Sequence, residues 1–239
     1  MIERHLMRLR ARDTISAEEE AAIRSVITET REIGAHRTIV RAGTETTACT
    51  LLLDGLACRA KDMRDGQRQI TELNVAGDFI DLHGFTLKRL DHSLLALTKV
   101  KVGVAPHDRV KELVEAFPHL GRVYWFSTNL DAAIHREWVL SLGRRTALGR
   151  LANLFCELQV RLGLVGLSDE GGYDLDLTQA DLAECMGLTP VHVNRTLREM
   201  RERELLTFRE GRVTIIDAAG LRKAAEFDPA YLYLERRAE

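Results

Sequence analysis

The rhythm of hydrophobic and polar positions changes several times along this chain. Residues 14 to 34 read as an acidic, alanine-containing helix. Thr14 or Ser16 is its cap, and the glutamates of "SAEEE" fall in its first turn, where the helix dipole favours them. From about 36 to 105 the pattern shortens to β-like runs broken by turn pairs. "TIV", "CTLLLDGLACRAK" with Asp54-Gly55, and "KDMRDGQRQITEL" with Asp65-Gly66 predict hairpins. "KVKVGVA" alternates, with Val100, Val102 and Val104 on one face and Lys99 and Lys101 on the other. Strands this short and frequent predict a compact roll or barrel, not a parallel α/β sheet.

Beyond Pro106 the spacing turns helical. From Arg122 to Leu142 apolar residues recur at steps of three and four: Val123, Phe126, Leu130 and Ala133. Trp125, Ile134, Trp138, Val139 and Leu140 widen the stripe. Such a helix buries one side on its own domain and another on a partner; a buried core helix is the alternative. Gly143 marks a break, a hinge and a domain boundary before a second amphipathic helix, "SLGRRTALGRLANLFCELQVRLG". Leu167 to Leu177 reads as a loop. The expected domains are therefore 1–120, 121–142 and 143–239.

The third texture is "LTQADLAECMGLTPVHVNRTLREMRERELLTFREGRVTII", Leu177 to Ile216. Thr178 with Asp181 three residues on fits a capping box, and Gln179 stands in that first turn. Ala180, Leu182, Ala183 and Met186 make a small apolar face, and Gly187 suits the left-handed C-terminus. Thr189-Pro190 restarts a helix with a threonine cap and proline at the first position. Val193, Leu197 and Met200 then face inward, which leaves Val191, His192, Asn194, Arg195 and Arg198 outward. That is the arrangement needed by a helix entering a DNA major groove by its N-terminal half. "LLTFREGRVTII" predicts a hairpin with Glu210-Gly211 at its turn and Arg209 and Arg212 beside it, a wing. Asp217 caps a last helix, "AAGLRKAAEF".

Charge adds little to this picture. The net charge of the 239 residues is −2, and over 178–212 six arginines meet six carboxylates. A DNA-binding reading therefore rests on placement. Four cysteines, Cys49, Cys58, Cys156 and Cys185, are far apart with no C-x-x-C. They support neither a disulfide framework, a zinc site nor an iron–sulfur cluster, and no haem motif is evident. Cys185 reads as a small buried side chain, with thiol oxidation that switches off DNA binding as the alternative. No apolar run has the length of a membrane span and none forms a secretory leader, so a cytoplasmic protein is expected.

This order of parts resembles the Crp/Fnr (cyclic-AMP receptor protein/fumarate-nitrate regulator) family of bacterial transcription factors. The resemblance covers essentially the whole chain, and "LTQADLAECMGLTPVHVNRTLREM" and "GDFIDLHGF" carry it best. It implies an α+β protein: a double-stranded β-roll of the cyclic-nucleotide-binding kind, a long dimerisation helix and a C-terminal winged helix-turn-helix. It also implies a homodimer on a palindromic double-stranded DNA site, with half-sites roughly one helical turn apart and RNA polymerase contacted nearby. The family's recognition helix usually has a glutamate four residues before a guanine-reading arginine. Here Arg195 keeps the arginine, but Val191 replaces the glutamate, and Pro190 and His192 also depart. Valine touches a thymine methyl where a carboxylate accepts from cytosine, so an altered half-site is expected. With Thr178, Gln179, Thr189, His192, Asn194, Arg198 and Arg212, these residues make the expected DNA-contacting set.

Family members that bind cyclic AMP carry Gly-Glu and, further on, Arg-Ser in a phosphate-binding cassette. Aligned without gaps, Asp81-Leu82 and His92-Ser93 stand there instead. A histidine largely neutral at pH 7 does not replace a bidentate arginine, so cyclic AMP is not expected to bind. Asp81, Leu82, His92 and Ser93 remain candidates for another effector, and Lys88 and Arg89 read as a solvated loop. His83 and His92 lack the close ligand pair a metal needs. The competing function is an effector-binding module whose C-terminal helices mediate protein contacts. No Walker loop, G-x-S-x-G, H-E-x-x-H or paired carboxylates point to an enzyme.

Overall fold

The computed structural model describes residues 1–235. Two helices precede the roll, α1 (Glu3–Arg10) and α2 (Ala17–Val26). The first escapes the sequence pattern; it buries Leu6 and Leu9 against the roll. The second has the capping box Ser16/Glu19, but it ends at Val26 rather than continuing to 34. The reason is strand pairing: β1 (Glu29–Ile33) lies antiparallel on β7 (Val100–Pro106), Glu29 opposite Val104 and Ile33 opposite Val100. Main-chain bonds to a distant strand override a local helical preference.

The roll is two antiparallel sheets. One has the order β1-β7-β3, with β3 at Ala48–Asp54. The other is β2-β6-β4-β5, built from β2 (Thr38–Val40), β4 (Leu56–Asp62), β5 (Arg68–Val75) and β6 (Ser93–Ala96). Asp65-Gly66 turns the β4–β5 hairpin as expected. Asp54-Gly55 does not: β3 and β4 belong to different sheets, so this pair is a corner from one sheet to the other. A Cβ on Gly55, at φ +84°, would lie 2.5 Å from the Lys99 carbonyl oxygen. A short α3 (Gly84–Leu87) interrupts the β5–β6 connection.

Two helices follow the roll, α4 (His107–Ala116) and α5 (Pro118–Arg144), the latter with proline at its first turn. Gly143 stays inside α5. The break falls at Arg145, whose backbone is extended, and Thr146 caps α6 (Ala147–Gly163). Val123, Leu130, Ala133, Ile134 and Trp138 of α5 are buried. Trp125, Ala132 and Val139 are exposed at seven-residue spacing.

The rest is α7 (Gln179–Met186), α8 (Pro190–Glu202), α9 (Ala218–Ala225) and a 3-10 turn at Pro229–Leu232. Of these α8 packs on a sheet of order β10-β11-β9-β8, with β10 (Leu206–Arg209) and β11 (Arg212–Ile215) as the wing, while α7 lies on β5 and α9 on α6. Strands β8 (Ser168–Asp169) and β9 (Gly172–Asp174) lie where a plain loop was expected; they form because β9 pairs with β11, Val213 opposite Tyr173. One hydrophobic cluster runs from Ile70 and Leu73 of the roll through Trp138 and Phe155 to Leu182, Met186 and Val193. The roll and the C-terminal head thus share a core. Among the described residues no helix is long and apolar enough to cross a membrane.

Candidate nucleic-acid interface and roll cavity

Helix α7 starts as its residues dictate. The Thr178 hydroxyl accepts from the Asp181 backbone N–H, and the Asp181 carboxylate accepts from the Thr178 N–H at 2.8 Å. Leu182, Ala183, Cys185 and Met186 are buried, while Ala180 faces solvent. Gly187 closes the helix at φ +60°, ψ +42°, the conformation that glycine adopts without a Cβ penalty. Thr189 caps α8 through the His192 N–H, and Pro190 follows at the first position.

Val193, Thr196 and Met200 are buried beneath α8, and Leu197 is half-buried. Val191, Asn194, Arg195 and Arg198 are exposed at steps of three, one and three, a single outward stripe with His192 half-buried beside it. Val191 is 82% exposed, unusual for a large apolar side chain without a partner. Arg195 makes no hydrogen bond or ion pair among the described residues. Arg198 is held by Glu202 at 2.8 Å, one turn on. The Asn194 amide donates to Gln179 at 3.3 Å, so the tips of α7 and α8 are tied together. In the wing, Glu210 and Gly211 both have positive φ, a two-residue turn that suits the twist of a hairpin. Arg212 beside it meets the exposed Asp174 at 2.8 Å. The nine residues of the expected DNA-contacting set thus lie at the start of α7, along the first nine residues of α8 with its cap, or on the wing. The side-chain oxygen of Thr189 is partly engaged as a cap.

The second site is a cavity of about 430 Å³ between the roll and α5. Of the four effector candidates His92 alone lines it. Asp81 is buried and accepts from the backbone and hydroxyl of Thr50; burial pushes its carboxyl up to about 6. Leu82 packs in the core with Leu6 and Leu51. The Ser93 hydroxyl accepts from the Ala42 N–H at 3.1 Å. Lys88 and Arg89 are exposed, as expected for a loop.

The cavity wall holds residues the sequence reading passed over: Arg59, Lys61, Asp131 and His135, besides His83. A charged side chain inside the apolar run "LACRAK" was the one available signal for Arg59. Its guanidinium is 3% exposed and donates to Glu72 and Asp131, both at 2.8 Å, and to the Ile80 carbonyl at 2.9 Å. Burial lowers the imidazoles of His83, to about 3, and of His92 and His135, so all three are neutral at pH 7. The Nε2 atoms of His83 and His92 have no hydrogen-bond partner among the described residues. Among the described residues no group of three or more histidines, cysteines or carboxylates is placed to hold a metal ion. Cys49, Cys58, Cys156 and Cys185 are all buried, and burial pushes the Cys185 thiol well up.

Comparison with known proteins agrees with this geometry. Residues 30–117 match the cyclic nucleotide-binding domain family, and residues 149–224 match the Crp-like helix-turn-helix domain family. A probable transcriptional activator of Rhizobium leguminosarum is 31% identical over 174 residues, 72% of this chain and 70% of that protein. Transcriptional activator protein FnrL of Cereibacter sphaeroides is 28% identical over 216 residues, 88% of this chain and 86% of that protein. Among solved structures, FixK2 from Bradyrhizobium japonicum shares the fold with a TM-score of 0.74 at 19% identity, covering 82% of this chain and 96% of that one.

Proposed function

The chain belongs to the Crp/Fnr family of transcription regulators, and we propose that it works as a homodimer that reads a two-fold symmetric DNA site through α8. In this reading the division of labour is a sensor over 1–120, a dimerisation helix over 121–142 and the head over 143–239. The observation that carries the reading is the exposed stripe of α8, where Arg195 stands unpaired four residues after Val191. A guanidinium in this position suits the O6/N7 edge of guanine, and the valine suits a thymine methyl. In this reading Thr178, Gln179 and Arg212 contact phosphates on either side. The heptad seam of Trp125, Ala132 and Val139 supports dimerisation through α5. The family setting implies RNA polymerase as the neighbour on the promoter and the cytoplasm as the place of work.

The sensor does not fit cyclic AMP. Where a phosphate-pairing arginine is needed, His92 is neutral and bonded to Asp91 at 2.8 Å, and the cavity's own arginine already has carboxylate partners. Nor do the four scattered, buried cysteines fit an iron–sulfur cluster. Selection from a random DNA pool tests the reading. The expected result is a palindromic consensus with a guanine opposite Arg195 and a thymine beside it. A folded dimer that enriches no sequence would sink it.

A further inference from the structure

In this chain the walls of the roll cavity are already joined. Arg59 on β4 reaches across to Asp131 on α5, and each of its three nitrogens has an oxygen partner. The connection between roll and long helix that a bound anion would make is made by the protein itself.

A second cluster closes the seam between roll and head. Arg161 of α6 donates to Asp78, in the turn after β5, at 2.8 Å and to Glu157 at 3.0 Å. These three groups are 5%, 2% and 0% exposed. Arg8 of α1 pairs with the other oxygen of Asp78. Glu157 also accepts from the Trp138 indole of α5 at 3.2 Å and from the Tyr231 hydroxyl at 2.9 Å. At the other end of β5, the Gln69 amide donates to the carbonyls of Glu184 and Cys185 in the last turn of α7, at 2.8 and 3.1 Å. Undocking the head would leave buried charges without partners and open the shared hydrophobic core, so the docked pose is strongly favoured. In that same pose the α8 stripe faces solvent.

We propose that these built-in contacts, Arg59–Asp131 across the cavity and Asp78–Arg161 with Gln69 at the seam, hold the head in its reading pose without any ligand, so that DNA binding by this chain needs no effector. The proposal rests on the reading of α8 as the DNA-contacting helix. A ligand shifts a conformational equilibrium only through its differential affinity for two states, and here the docked state is secured by the chain's own charges.

The test uses the full chain, exhaustively dialysed, and the DNA site selected from a random pool. Cyclic AMP, cyclic GMP and inorganic phosphate are the added probes. The expected result is binding without additions and no change on adding any probe. Asp131→Asn keeps the shape of the bridge but removes its charge, and Gln69→Ala removes a contact outside the core. Each is expected to weaken DNA binding roughly fivefold or more, in the usual range for coupling between sites. Gln69→Ala should also speed amide exchange in α7 while the melting temperature holds. If Asp131→Asn does not fold, Gln69→Ala decides alone. Wild-type binding that appears only with a probe overturns the proposal and leaves the DNA reading intact. Gln69→Ala binding as wild type does the same. Enrichment of no sequence under any condition removes both.

Discussion

In the roll, Arg59 is 3% exposed and meets two carboxylates and a carbonyl; in α8, Arg195 stands in solvent and meets nothing among the described residues. The same residue type does opposite work in the two regions. A buried guanidinium must be neutralised locally, and its planar fork then fixes the elements it touches. An exposed one left unpaired keeps its charge and donors for a partner that arrives later. In the roll Arg59 is turned inward and paired, whereas in α8 Arg195 points outward.

The comparison is broken most sharply at the seam. Arg161→Met removes a buried cation, leaves Glu157 without a cationic partner and Asp78 with Arg8 alone, and should cost about 3–5 kcal/mol of stability, read by denaturant unfolding. A loss under about 1 kcal/mol, the range of exposed pairs, would mean that the cluster is far more hydrated than its burial implies. Arg195→Ala should leave stability within about 0.5 kcal/mol, as exposed substitutions do. Its effect belongs on DNA: a loss of about 1–3 kcal/mol in affinity and relaxed preference at a single base pair, measured on single-base variants of the selected site. Equal weakening on every sequence would instead make Arg195 a phosphate contact.

The last prediction concerns His5 of α1, buried against the roll, with Nδ1 2.8 Å from the Gly77 carbonyl oxygen. Burial lowers its imidazole to about 4, so the unfolded chain takes up a proton that the folded one refuses between pH 6.5 and 4. Stability is therefore lost as pH falls through that window, by at most about 1.4 kcal/mol per pH unit for this one group. His5→Gln should flatten the slope of melting temperature against pH by that contribution. An unchanged slope would assign the acid sensitivity elsewhere.

How much of this was legible in the sequence divides along the same line. The caps at Thr178 and Thr189, the proline restart at Pro190 and the Glu210-Gly211 turn are local chemistry, and each lies where its residues predicted. The outward stripe of α8 follows from helical period alone. Several features that depended on a distant partner were misread or missed. The helix expected to reach residue 34 gives way to β1 because β7 is there to pair with it. Asp54-Gly55 makes the same turn signal as Asp65-Gly66, yet only the second joins paired strands. Asp81 and Leu82 aligned with effector-binding positions but point into the core. The cavity groups Arg59, Asp131 and His135 come from β4 and α5, and no spacing in the chain announces that they meet.

The C-terminal segment adds a mechanical consequence. Arg12, just past α1, donates to the carbonyls of Leu232 and Tyr233, at 2.9 and 3.1 Å, and the Tyr233 ring meets Phe126 of α5 edge-on. Besides the seam contacts and the shared core, the head is therefore fastened at the α5–α6 joint at Arg145 and by this strap far along the sequence. A body held at one pivot can swing in every direction, but one held at two turns only about the line through them. Once the seam is broken, any motion of the head that keeps the strap closed turns about the line through the joint and the strap.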